Sequence, residues 1–290
     1  MDPWEIVESN HDVSIEFYGV GISRKFGQLR FGDHPIWFGF LGTALLIMIA
    51  IEIGFRVGTA ARNRSDGVKE APVGAITGSI LALLAFMLAF TFGIVSNRYD
   101  ARKALVREQA ITISTSYART DFLPEPERAE AKAIFASYID LVLQAAEPKS
   151  YHDHDDLIAQ MNAYIDQLWA MAVAQSEINP DSDVMALYLD SLNSVGDVQA
   201  IRLTVAVHSK IPIGIWIALL MLVCFATSAV GYQTALSGSK RTWLLLVMAL
   251  SFATIVSLIT MLDNPDTGFI PVSQRPIIDV QTAIQASQVP

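Results

Sequence analysis

The densest group of ionisable side chains in this 290-residue chain is the run YHDHDD, Tyr151 to Asp156. Imidazoles and carboxylates both ligate divalent metals, and His152 and His154 are the residues that would do so here. They are nearly adjacent rather than one helical turn apart, and no partner cluster stands elsewhere in the chain. Asp153, Asp155 and Asp156 also precede an apolar helical pattern, where carboxylates complement the positive end of a helix. The helix-start reading is the stronger one. No metal and no other cofactor is expected.

The remaining candidates sit near the ends of apolar runs. Glu52 and Arg56 are spaced i, i+4, so an interfacial ion pair explains them better than an ion or proton site within the bilayer. Asp100 follows shortly after the second apolar run. Asn193, Asp197 and Arg202 are polar groups on a mostly apolar helix leading to the third run, and structural hydrogen bonds are their simplest role. His208 lies close to the same boundary, as a solvated interfacial residue. Cys224 is the one cysteine and lies in an apolar run, which excludes an intrachain disulfide or a cysteine-based metal site. Nucleophile elbows, phosphate loops and paired catalytic carboxylates in a recognisable setting are absent, and no enzymatic activity is expected.

The elements that must carry these residues are largely membrane spans. Hydrophobic residues make up 52% of the chain and charged ones 17%, with a mean hydropathy of +0.39; a soluble domain averages about 25% charged. A net charge of −9 with no dense basic cluster argues against nucleic acid as a partner. No secretory signal is visible in Met1 to Pro35. Residues 1–34 form a tail, with an interfacial segment around Ile15 to Val20. Pro35 to Phe55 is the first span, followed by a short polar loop from Arg56 to Glu70.

The second span organises the chain. Ala71 to Asn97 has no Asp, Glu, Lys or Arg, longer than the roughly 20 residues that cross the hydrocarbon. No proline or glycine then stops the helix before Pro124, so span and soluble helix read as one rod. Gly74, Gly78, Ala82, Ala85, Ala89 and Gly93 make a stripe of small residues suited to helix packing in lipid, with Leu84 expected to face lipid. Phe86 and Phe90 line an adjacent face; lipid or packing contact is their simplest role, and a pore constriction the other.

Residues 98–210 read as an antiparallel helical bundle. Ile134, Phe135, Tyr138, Ile139, Leu141 and Val142 recur at helical spacing, as do Leu157, Met161, Tyr164, Leu168 and Ala172, then Met185, Tyr188, Leu192 and Val195. Residues 211–262 hold two more spans, joined so closely at Lys240 and Arg241 that they should form an antiparallel pair. In residues 263–290 a short amphipathic helix would use Ile277, Ile278 and Ile284. The fold expected is all-α, with four transmembrane helices and a soluble bundle between spans two and three.

The layout resembles the bacterial bestrophin-like domain proteins, a group of four-span membrane proteins. The matching pieces are IEIGFRVG with the basic loop after it, GSILALLAFMLAFTFGIVSNRYDARK, REQAITISTSYARTDFLPEPERAE, LDSLNSVGDVQAIRL, Pro212 with Trp216, and LDNPDTGFIPVS. They cover most of Glu52 to Ser273. The family usually carries an aromatic and a basic residue after the proline of that last segment; here Asp266 and Thr267 follow Pro265. Bestrophins, more remotely similar, are pentameric anion channels whose second span narrows the pore with apolar side chains. That resemblance implies a homo-oligomer in a bilayer, a bacterial inner membrane if the family holds, with ions as ligands and Phe86 and Phe90 as the constriction. The alternative is a membrane-anchored sensor or scaffold whose bundle binds a protein partner.

Orientation follows from the basic residues of the short loops. Arg56, Arg62, Arg64 and Lys69 lie in one, Lys240 and Arg241 in the other, which favours both loops in the cytoplasm and the acidic bundle outside. Arg98, Arg102, Lys103 and Arg107, just past the second span, pull the other way, as would a bestrophin arrangement. Single cysteines placed in 98–210 on a Cys224→Ser background are expected to react with an impermeant thiol reagent in intact cells. Reaction only after lysis would reverse the topology.

Overall fold

In a computed structural model of the protein, the residues described are 36–64, 70–147, 154–208, 210–239, 243–264 and 270–287. The N-terminal tail with its interfacial segment lies outside them. The elements are α1 (Ile36–Arg64), α2 (Glu70–Arg119), a 3-10 turn (Thr120–Phe122), α3 (Glu127–Ala145), α4 (His154–Ile178), α5 (Asp183–His208), α6 (Ile213–Leu236), α7 (Trp243–Asp263) and α8 (Arg275–Ser287). The fold is all-α. Four of these helices, α1, α2, α6 and α7, are long and apolar enough to cross a membrane.

α2 is unbroken over 50 residues, about 75 Å at 1.5 Å per residue. It starts with Pro72 in its first turn, where a missing N–H is harmless, and ends in the turn before Pro124 and Pro126. α1 is longer than its apolar run. The polar stretch from Arg56, expected as a loop, is helical as far as Arg64, since nothing between Arg56 and Arg64 breaks a helix except Gly58. That glycine has another use.

α6 packs against both α1 and α2, and so does α7. The short link after α6 suggested a packed α6–α7 pair, but the main contacts of each are with α1 and α2 instead. α1 and α6 touch through their backbones. A Cβ added at Gly54 would stand 1.9 Å from the carbonyl oxygen of Ser228, one at Gly58 2.6 Å from that of Tyr232, and one at Gly231 2.2 Å from that of Ile51. Ser228 Oγ also donates to the Ala50 carbonyl at 2.9 Å. The two helices run parallel, residue 50 meeting 228 and residue 62 meeting 235. Only glycine permits this approach.

The stripe of small residues on α2 does something different. Gly78, Ala82, Ala85 and Ala89 are exposed, and a Cβ at Gly78 would meet nothing within 4 Å. Leu84, expected towards lipid, is completely buried, with Ile47, Leu88, Val95, Leu219, Val223 and Ile259 in the same core cluster. The intrachain packing face of α2 is therefore that of Leu84, Leu88 and Val95, and Gly78, Ala82, Ala85 and Ala89 lie off it.

The bundle follows its periodicity. Ile134, Phe135, Tyr138, Ile139 and Val142 of α3, Met161, Leu168 and Ala172 of α4, and Met185, Tyr188, Leu192 and Val195 of α5 form one core with Val106, Ala110 and Ile113 of α2. α3 pairs with α4, α4 with α5 and α5 with α2. α8 then lies on α2 and α3, burying Ile277 and Ile284 in the same core, while Ile278 stays partly exposed.

Over-packing a tight contact commonly costs about 1–3 kcal/mol, and a clash with backbone belongs at the top of that range. Gly54→Leu and Gly231→Leu are expected to lower the thermal stability of the single chain by about 3 kcal/mol or more. Gly78→Leu should stay within about 0.5 kcal/mol. An equal loss at Gly78 would place the α2 stripe inside the fold.

Candidate functional site

Two faces of α2 can be separated by burial. Thr77, Leu84, Leu88, Thr91 and Val95 are buried. On the opposite side Phe86 is 64% and Phe90 55% exposed, their rings stacked with centroids 6.3 Å apart. Neither ring is part of the intrachain core. Large apolar rings on an open face of a span belong either against lipid or against other copies of the chain around an axis.

The polar candidates at the membrane boundary do not converge on one site. Arg56 Nε donates to Glu52 Oε1 at 2.8 Å, an i, i+4 pair with Arg56 exposed. Asp100 is exposed and lies 3.6 Å from Lys103 Nζ. Asn193 and Asp197 are exposed on α5. Arg202 alone turns inward: it donates to the side-chain oxygens of Gln109 and, at 2.7 Å, Gln274. No group of three His, Cys, Asp or Glu side chains suited to a metal occurs among the described residues. Tyr151, His152 and Asp153 lie outside them, as do Pro265, Asp266 and Thr267; from His154 onwards the run belongs to the start of α4.

The structure adds two polar clusters that sequence reasoning did not assemble. One surrounds Arg202. Tyr138 Oη donates to Gln199 Oε1 at 2.6 Å, Gln109 Nε2 donates to Tyr138 Oη at 3.4 Å, and Gln199 Nε2 donates to Asn162 Oδ1 at 2.8 Å. The cluster ties α2, α3, α4, α5 and the residue before α8 together. Burial pushes the Tyr138 hydroxyl up to about 12, partly opposed by its bond with Gln109 and by the charge of Arg202. Burial likewise lowers the pKa of Arg202, which has no carboxylate partner among the described residues.

The other cluster stands where spans meet bundle. Arg102, buried on α2, donates to the carbonyls of Leu262 at 3.2 Å and Asp263 at 3.4 Å. The Asp263 carboxylate accepts the Ile211 N–H at 3.0 Å and lies 3.8 Å from Arg98 Nη1. The basic residues of RYDARK and the aspartate of LDNP carry the signal for it, but nothing in their spacing joins two segments about 160 residues apart.

Comparison with known proteins decides the family. A bestrophin-like domain profile matches residues 37–277. The chain belongs to the bestrophin-like domain family. Among solved structures, this bestrophin-like chain is similar to a point variant of a bacterial bestrophin homologue from Klebsiella pneumoniae, with 16% identity, a TM-score of 0.63, and 88% of this chain and 99% of that one covered. A second structure of a bestrophin homologue from that organism aligns with a TM-score of 0.62 and 16% identity, over 88% of this chain and 100% of the other. At such identity the likeness is one of fold. No match is found among curated proteins.

The buried phenol gives a test of the bundle. Tyr138→Phe removes the donor to Gln199 and leaves a buried acceptor without it, at an expected cost of about 1–3 kcal/mol in thermal unfolding. In the wild type the folded state holds the phenol proton to about pH 12, whereas the unfolded chain releases it near 10. Stability should therefore fall as pH rises from 10 towards 12. The Phe variant should lack that component, and identical alkaline curves would mean that the hydroxyl is solvated.

Proposed function

We propose that this bestrophin-like chain assembles as a symmetric homo-oligomer in a bacterial inner membrane and conducts ions along an axis lined by α2. The observation that carries the reading is the pair Phe86 and Phe90. They are exposed rings one turn apart, on the opposite side of the span from Leu84, Leu88, Thr91 and Val95. Brought together around an axis, they would form an apolar constriction that closes a path by excluding water, with no charged gate. The small residues beside them allow neighbouring helices to approach closely. Family membership supports the same arrangement, because bestrophins narrow their pore on the second span.

Ion preference follows from the bundle. Residues 98–210 carry more Asp and Glu than Lys and Arg, so a path through their midst enriches cations over anions. The preference should weaken at high salt, where the Debye length shrinks to about 3 Å at 1 M. Asp100 and Asp197 act on this path only through their charge, and the Glu52–Arg56 pair and the neutral Asn193 take no part in it.

Phe86→Ala with Phe90→Ala should widen and wet the constriction and raise ion leak about ten-fold or more, a barrier change of roughly 1.4 kcal/mol. The measurement is planar-bilayer recording of purified wild type and double variant in asymmetric KCl. Silence from both, with folding shown independently, would remove the channel and leave a membrane-anchored sensor or scaffold.

A further inference from the structure

The open face of α2 does not stop at the bilayer. At 100° per residue, Asn97, Ala104, Glu108 and Thr115 fall within about 20° of the mean direction of Phe86 and Phe90, and Ala101 and Ile111 within about 40°. Every one of these six residues is exposed, Ile111 at 66%. The opposite direction is buried along the same length: Arg102, Val106, Gln109, Ile113 and Ser116 continue the line of Leu84, Leu88 and Val95. One side of the helix thus stays unpartnered from Phe86 to Thr115, about 44 Å, although the other side changes from lipid-embedded core to bundle core on the way.

The chemistry of that side changes where the bilayer ends. Within the span it carries the two aromatic rings and Gly93, where an added Cβ would meet nothing within 4 Å. Beyond it come an amide, two alanines, a carboxylate, one isoleucine and a hydroxyl. Such a face is too polar to be a second hydrophobic interface, and too narrow in its side chains to fill a gap between bundles. It suits a water-filled passage. Glu108 is its only charged residue. Asp100, about 60° off the line, is already near Lys103. Glu108 has no ion-pair partner among the described residues.

We infer that the α2 path continues through the bundle and that Glu108 is its specificity-determining residue, a ring of carboxylates favouring monovalent cations about 27 Å beyond Phe90. Symmetry multiplies the single carboxylate into a ring, and a ring of like charge on a narrow path concentrates counter-ions far more than scattered surface charge does. Ile111, one turn further, would form a second and shorter apolar collar. The inference rests on the channel reading, since without a path there is no ion for Glu108 to select.

Reversal potentials in asymmetric KCl, recorded from reconstituted full-length protein, separate the two claims. Glu108→Gln should lower the cation-to-anion permeability ratio at least about two-fold, and Glu108→Lys should lower it further. Asp166→Asn, which removes an exposed carboxylate from α4, should leave the ratio unchanged. Conduction by wild type with no shift in Glu108→Gln would overturn the role of Glu108 and leave the channel reading standing. An equal shift in Asp166→Asn would assign the preference to the diffuse field of the bundle, and so also overturn it. No conductance from folded wild type would defeat the channel reading and this inference together. As a second readout, Glu108→Cys on a Cys224→Ser background should lose current on reaction with a bulky cationic thiol reagent. Undiminished current after proven modification would place residue 108 off the path.

Discussion

Helix ends are the expensive points of this structure, and arginine is what makes them affordable. The last four carbonyls of a helix have no intrahelical donor, and those of a span finish where water begins to be scarce. Arg62 of α1 donates to Ala235 at the end of α6 at 3.2 Å, where Gly238, with φ +68°, turns the chain away. Arg102 of α2 donates to Leu262 and Asp263 at the end of α7. In both cases the cation also meets the negative end of the helix dipole. The second site carries more. Asp263, nearly fully buried, holds the Ile211 N–H at the entry to α6 and lies near Arg98. A single carboxylate therefore connects the end of one span, the start of another and the long helix between membrane and bundle. Removing Arg98 would leave the buried Asp263 carboxylate without its neighbouring cation, a cost commonly of about 3–5 kcal/mol.

How far the chain could be read in advance depended on the solvent around each part. In the bundle, water enforces a contrast between faces. The spacing of Ile134, Phe135, Tyr138, Ile139 and Val142, or of Met185, Tyr188, Leu192 and Val195, marked the buried face directly. Within the spans lipid is as apolar as the core, so periodicity says little about direction. Leu84 and Phe86 are equally hydrophobic, yet one is sealed inside and the other open. The stripe of small residues drew attention to the wrong face of α2, while Gly54 and Gly58 in IEIGFRVG, the pair that touches α6, passed as a family signature. Close packing requires a complement, and Gly231 lies 173 residues beyond Gly58. Nothing local announces it.

The polar clusters were hidden for a related reason. Gln109, Tyr138, Asn162, Gln199, Arg202 and Gln274 come from separate parts of the chain, and all but Tyr138 and Arg202 are plausible surface residues taken singly. Arg202 stood out as polar on an apolar helix, but its acceptors are neutral amides, and no charge pattern points to them. The boundary residues were legible as to type only. Glu52 and Arg56 were bound to each other by their spacing, whereas the more consequential ion contact, Arg98 with Asp263, spans 160-odd positions of sequence.

The placement of α8 bears on how the molecule is made. Ile277 and Ile284 complete the hydrophobic interior formed by α2 to α5, and Gln274 supplies an acceptor for Arg202. These residues are synthesised after α6 and α7. Emerging α2 to α5 are thus left with an open apolar flank, and Arg202 without its Gln274 acceptor, until both later spans have been inserted and the chain has returned to the same side. Maturation of the bundle is thereby made conditional on a finished membrane part, and a polypeptide stalled during insertion keeps a greasy, exposed seam that proteases and chaperones can recognise.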